Sequence, residues 1–143
     1  MRLYFDNNVY NRPFDDQSVP RNRAEARAVE ALFEAIGAGE ATLVSSFVVD
    51  AENRLSPDDS RRERVRALIG SAGQRVGRRR AILQRARILN DAGLAGRDAL
   101  HLAAAEQARA DYFVTCDDKL IKRAGRIGSP VEVVSPLELF EEG

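Results

Sequence analysis

Short apolar runs that each stop at an acid or a turn residue, with helical segments between them, constrain this chain more than any other feature. Leu3-Tyr4-Phe5 stops at Asp6-Asn7-Asn8, and Tyr112 to Thr115 stops at Cys116-Asp117-Asp118. Thr42 to Ser45 and Val131 to Val134 are two more runs of the same kind. Aromatic and β-branched residues favour strands, and Asp and Asn end them because both prefer turns. Between the runs the period changes. From Arg21 onward Ala28, Ala31, Leu32, Ala35 and Ile36 fall on one helical face, closed by Gly37 and Gly39. Ser46 is placed to cap a helix through Leu55, and Pro57 to open the next at its first position. That helix carries Val65, Leu68 and Ile69. After Gly70, Gly73 and Gly77, a further one carries Ile82, Ala86 and Leu89. Asp98 opens a segment, Ala99 to Ala105, that is apolar on nearly all sides and so belongs inside the domain. Lys119 to Ala124 is a short helix, Pro136 to Glu141 a terminal helical turn, and residues 11 to 20, with Pro13 and Pro20, a loop. Strands alternating with helices predict an α/β layered domain with a short, mainly parallel sheet. At 143 residues one domain over 1–143 is expected.

Charge is distributed unevenly. The 22 basic and 22 acidic side chains cancel overall, yet ten arginines and one acid, Glu63, lie between residues 60 and 90. That segment carries +9, so the rest of the chain carries −9. A basic lobe beside an acidic remainder fits a polyanionic partner better than net neutrality suggests. The single cysteine, Cys116, excludes a disulfide framework and a cysteine-based metal site. No stretch is apolar for long enough to span a membrane, and Asp6 breaks the first apolar run before a signal peptide could form. A cytosolic, reducing compartment is the expectation.

Four acids can meet. Asp6 and Asp117 stand just past strand ends, where open parallel sheets build their sites. Glu52 lies on the helix after the second strand, and Asp98 begins the buried helix. Each has an ordinary role open to it: a helix cap for Asp98 and Asp117, an Asx turn for Asp6, a solvated helix face for Glu52. As a set they repel one another unless a cation neutralises them. An all-oxygen donor set suits Mg²⁺ or Mn²⁺.

The segments Leu3-Tyr4-Phe5-Asp6-Asn7-Asn8-Val9, Ser46-Phe47-Val48-Val49-Asp50-Ala51-Glu52, Asp98 to Ala105 and Val114-Thr115-Cys116-Asp117 together resemble the PIN-domain ribonucleases. That family includes the toxins of VapBC-type toxin–antitoxin pairs. The resemblance runs in family order from the first strand to near the last. It implies a three-layer α/β/α domain with an arginine-rich helical arm at about 57–92. It implies an acidic pocket of Asp6, Glu52, Asp98 and Asp117, with Asp118 in reserve, holding Mg²⁺ or Mn²⁺ for hydrolysis of RNA by an activated water. Ser46 and Thr115 would orient carboxylates, as would the amide of Asn7, which stands where the family often has Thr. A separate antitoxin chain and a homodimer are implied as partners.

Arg61, Arg62, Arg78, Arg79 and Arg80 are candidates for RNA phosphates, since arginine supplies most non-specific affinity for polyanions. No aromatic residue lies between 48 and 111, so backbone recognition is expected over base stacking. His101, the one histidine, is expected as a hydrogen-bonded core residue and Cys116 as a packed, inert thiol. A haloacid-dehalogenase-like phosphatase needs a second Asp where Asn8 stands, and no dinucleotide or P-loop glycine motif is present. A catalytically silent RNA- or protein-binding module on the same fold is the alternative from another class.

Overall fold

The structure, a computed structural model, describes residues 1–142. Its centre is β1 (Arg2–Phe5), a strand buried on both faces, with Leu3, Tyr4 and Phe5 fully enclosed. Enclosure on both faces explains why this run is continuously apolar and does not alternate. Tyr4 packs edge-on against Phe113, with ring centroids 5.3 Å apart, and Phe5 against Phe33 at 5.4 Å. On either side of β1 lie β2 (Thr42–Ser46) and β4 (Tyr112–Val114). Further out are β3 (Gln74–Val76) and β5 (Glu132–Val134), giving a five-stranded sheet in the order β3-β2-β1-β4-β5 with every pair parallel.

Parallel neighbours need crossovers, and helices supply them. The chain leaves β1 through α1 (Asn7–Asn11), a 3-10 turn (Arg12–Phe14) and α2 (Pro20–Gly37), and enters β2. It passes α3 (Phe47–Arg54) and α4 (Asp59–Ile69) to reach β3 at the sheet edge. From there α5 (Arg80–Asp91) and α6 (Gly96–Gln107) carry it back across to β4. Then α7 (Asp118–Ala124) leads to β5, and α8 (Pro136–Glu142) follows. The β1-to-β2 and β3-to-β4 crossovers run in opposite directions, and crossovers of one hand then place α2 and α6 on opposite faces. Three layers result. No helix among the described residues is long and apolar enough to cross a membrane.

Several local expectations need correction. Residues 11 to 20 are not simply a loop, because α1 and the 3-10 turn run from Asn7 to Phe14. Five residues with three asparagines carry little helical signal, yet Asp6 caps them and Val9 and Tyr10 are buried. Pro57 does not open α4. Asp58 is its cap, accepting a 3.0 Å hydrogen bond from the Arg61 amide. The segment 57–92 is not wholly helical, since β3 runs through it as the edge strand. Its three residues, Gln-Arg-Val, are too short and polar to announce themselves. Asp98 sits in the first turn of α6, two residues after the helix begins at Gly96.

Candidate active site

Chain direction reverses at β1. One crossover leaves it toward β2, and the later strands are laid down on its other side, beginning with β4. A crevice opens beyond the carboxyl ends of strands at such a switch point. The Asp6 amide closes this end of the sheet by donating to the Val114 carbonyl at 2.9 Å. Asp6 and Asp117 therefore stand side by side because β1 and β4 are neighbours.

A hollow of about 400 Å³ occupies this position. Its walls include Asp6 from the end of β1, Glu52 from α3, Asp98 from the first turn of α6 and Asp117 ahead of α7. The four acids expected from sequence thus line one space. Asp118 does not. Its carboxylate makes a two-pronged pair with Arg21, both bonds 2.8 Å, away from the hollow.

Asp6 is almost enclosed, 7% exposed, and burial pushes its carboxyl above the ordinary range. Three contacts oppose burial and favour the ionised form: the nearby His101 ring, the Thr115 hydroxyl, which donates to Oδ2 at 2.8 Å, and the Asn7 amide. The Asn7 amide donates to Oδ1 at 2.8 Å and the Asn8 side-chain amide to Oδ2 at 3.2 Å. Thr115 acts as expected. The supporting side chain is Asn8, not Asn7, whose own amide oxygen is buried without a hydrogen-bond partner. Asn8 also accepts from the Cys116 amide at 3.0 Å, tying β1 to the strand end that carries Asp117.

Glu52 is held from two sides. Its Oε1 accepts from His101 Nε2, and its Oε2 lies 3.6 Å from Arg97 Nη1. A carboxylate only accepts, so the Nε2 of His101 carries the hydrogen. On the ring's other side, Nδ1 meets the Tyr4 hydroxyl at 2.7 Å, and that hydroxyl meets Ser46 Oγ at 2.6 Å. Ser46 also accepts from the Val48 amide at 3.2 Å, capping α3 as expected. It touches no carboxylate directly. It reaches Glu52 through Tyr4 and His101.

Sequence reasoning placed His101 in the core, and it is fully buried there. It did not place that residue against the acids, yet Nε2 is 3.6 Å from Asp6 Oδ1. Single donor atoms of Asp6, Glu52 and His101 lie within 4.8 Å of one another, close enough to converge on one ion. The signal available was spacing: Asp98 and His101 stand at i and i+3 and share a helix face. Asp98 is half-buried. Its carboxyl is raised first by loss of water and then by Asp6 and Asp117. Asp117 is exposed and caps α7 through the Lys119 and Leu120 amides, at 2.9 and 3.2 Å. A cap and a pocket wall are compatible roles, because one carboxylate oxygen serves the helix.

The arginines divide into two groups. Arg61 and Arg62 are half-buried and tied inward. Arg61 bonds Asp15 at 2.7 Å and the Phe14 carbonyl, while Arg62 bonds Asp59 at 2.7 Å and the Ser56 carbonyl at 2.8 Å. Arg78, Arg79 and Arg80 are exposed and make no side-chain hydrogen bond or ion pair among the described residues. Near the rim, Arg12 and Arg21 both meet the fully buried Glu25 at 3.3 Å. Cys116 is buried beside this pair. Its thiol is pushed up to about 12, chiefly by burial and further by Glu25, so it stays protonated and inert.

The geometry can be set beside known proteins. The chain is similar in structure to VapBC2 from Rickettsia felis, solved bound to a DNA fragment from its promoter. The TM-score is 0.61 and the identity 15%, over 94% of this chain and 98% of that one. It is also similar to VapBC-1 from nontypeable Haemophilus influenzae, with TM-score 0.61 and 17% identity over 96% and 99% of the two chains. At such identities the likeness is one of fold. No curated protein sequence matches the chain. The family model of the PIN domain matches residues 3–126, from β1 through the acid-bearing strand ends and α7. The switch-point crevice with its acidic walls lies within that span, and the chain belongs to the PIN-domain family.

Proposed function

We propose that this chain is a divalent-metal-dependent ribonuclease of the VapC toxin kind. The observation that carries the reading is the meeting of Asp6, Glu52, Asp98 and Asp117, from four separate segments, around one hollow. Such crowding of carboxylates is unfavourable without a cation; burial raises the carboxyls of Asp6 and Asp98 first, and neighbouring acids raise them further. The donor set fits a hard divalent ion, with carboxylate oxygens in the majority and His101 Nε2 already engaged by Glu52. Asp6, Glu52, Asp98 and Asp117 would hold Mg²⁺ or Mn²⁺, which when bound supplies an activated water and neutralises charge developing at phosphorus.

The remaining work falls to the chain. Thr115 and Asn8 fix the rotamer of Asp6, and His101, braced by Tyr4 and Ser46, fixes Glu52. The exposed Arg78, Arg79 and Arg80 attract the polyanion, which an acidic hollow alone would repel. Arg61 and Arg62, engaged within the chain, contribute to the field more than to direct contacts. A separate VapB-type antitoxin chain is the proposed protein partner, with a homodimer as the proposed assembly and the cytoplasm as the compartment.

The test is cleavage of RNA by the purified chain with Mg²⁺ or Mn²⁺. Activity is expected to vanish with EDTA, return with the metal and disappear in Asp6→Asn. Metal-independent cleavage, or wild-type activity in Asp6→Asn, overturns the mechanism. RNA binding with no cleavage under any divalent ion would favour the silent-module alternative.

A further inference from the structure

Among the described residues Arg97 is the one cationic side chain on the wall of the acid hollow, where it faces five acids: Asp6, Asp15, Glu52, Asp98 and Asp117. It is 66% exposed and stands 3.6 Å from Glu52 Oε2. The other oxygen of Glu52 is held by His101, which is fully buried and braced by Tyr4. Both oxygens of Glu52 therefore have a partner within the chain. When Glu52 offers an oxygen to a cation, one partner has to yield. The enclosed His101 has nowhere to move, whereas the solvent-exposed guanidinium of Arg97 turns on a flexible stem.

Where Arg97 can turn is also defined. It borders a second hollow of about 520 Å³, joined to the first through the shared residues Asn7, Asn11, Glu52 and Arg97. Arg61 stands on another wall of this second hollow, fixed by Asp15 and the Phe14 carbonyl. The exposed Leu55 adds apolar surface there. Arg97 is thus the arginine of this hollow able to turn to an anionic group, while Arg61, already engaged within the chain, adds to the positive field of a space that Asp58 also lines.

We propose that Arg97 is the site's own counter-cation and its phosphate switch. It neutralises Glu52 while the acid hollow holds no ion, and turns to a phosphate of the polynucleotide in the adjoining hollow once the acids are neutralised. The inference rests on the nuclease reading, and it makes Arg97 compete with the metal while assisting the substrate. Those two effects have opposite signs in one variant.

The experiment uses the full chain as wild type, Arg97→Ala and Arg97→Lys, each first shown to melt cooperatively. Mn²⁺ affinity is measured by electron paramagnetic resonance without RNA. A unit charge removed from about 5 Å of a divalent ion in largely aqueous surroundings changes its affinity about tenfold. Arg97→Ala is expected to bind Mn²⁺ that much more tightly, with Arg97→Lys close to wild type. At saturating Mn²⁺, RNA cleavage by Arg97→Ala is expected to fall at least about tenfold in kcat/KM, the scale of one lost charged contact. Arg97→Lys should recover part of that loss. Unchanged or weaker Mn²⁺ binding in Arg97→Ala overturns the counter-cation role, and undiminished cleavage overturns the phosphate role. A wild-type chain that binds Mn²⁺ but cleaves no RNA overturns the nuclease reading, and the Mn²⁺ titration still decides the counter-cation role alone.

Discussion

Glu52 is presented by a line of neighbours drawn from three other elements. Ser46 ends β2, Tyr4 belongs to β1, His101 to α6, and each hands a hydrogen bond toward the carboxylate. Buried networks of this kind are costly to break in the middle. Tyr4→Phe is expected to leave His101 Nδ1 and Ser46 Oγ without their shared partner and to lower stability by about 1–3 kcal/mol, read from urea unfolding. RNA cleavage should fall with it, since Glu52 loses its brace. An unchanged unfolding midpoint would show that the hydroxyl is dispensable. Asp98 is the reverse case, a carboxyl that accepts no hydrogen bond and is disfavoured by burial and by Asp6 and Asp117. Asp98→Asn is expected to raise the Tm of the metal-free chain and to diminish the further rise that Mn²⁺ produces in wild type. A lower metal-free Tm in calorimetry would contradict the repulsion. Sequence spacing made the four acids legible one at a time. The roles of Asn8, Arg97 and His101 were not legible, because each depends on a partner more than 40 residues away.

The elements read from sequence were those whose apolar period is long or whose ends are marked. The 18 residues of α2 carry a clear stripe, and α6 is apolar on almost every side. Those that escaped, α1 and β3, have five and three residues and are stabilised by what they pack against. β3 exists because Val44, Ser45 and Ser46 present an open strand edge to it. The 3-10 turn after α1 is held through charge. Arg12 joins it to Glu25, the fully buried acid of α2. Glu25→Ala leaves the largely enclosed Arg12, and to a lesser degree the half-exposed Arg21, with less compensation and is expected to cost about 1–3 kcal/mol. Thermal or urea unfolding checks this, and a loss below about 0.5 kcal/mol would mean that Asp15 and Asp118 suffice as counter-ions.

Over the whole molecule, neutrality hides a division. Arg75 of β3, with Arg78, Arg79 and Arg80 just after it, lies at one edge of the sheet, and the acids meet at the switch point. Replacing Arg78, Arg79 and Arg80 together by Gln is expected to reduce the slope of log affinity against log salt by about 2 for single-stranded RNA, with little change in Tm. A slope equal to wild type would remove these three from the RNA path. Cys116, with its thiol pushed up to about 12, should resist alkylation at pH 8 in the folded chain and react at once in denaturant. Rapid labelling of the native chain would show that strand end to be open.

Alternation of short apolar runs with helical stripes was enough, by itself, to determine the layered α/β class, the buried α6 and four candidate acids, two past strand ends and two on helices. Those properties follow from local period and turn chemistry, which one stretch of chain carries alone. Tertiary structure decided which acid of the Asp117–Asp118 pair faces the hollow, because Arg21 of α2 captures the other. It also decided that Asn8 and not Asn7 braces Asp6, and that Arg61 and Arg62 are spent within the fold. Asn8 reaches Asp6 because the start of α1 turns its amide back two residues. Asp118 and Arg61 are decided by which distant side chain arrives within about 3 Å, a distance that only the packing of strands and helices sets.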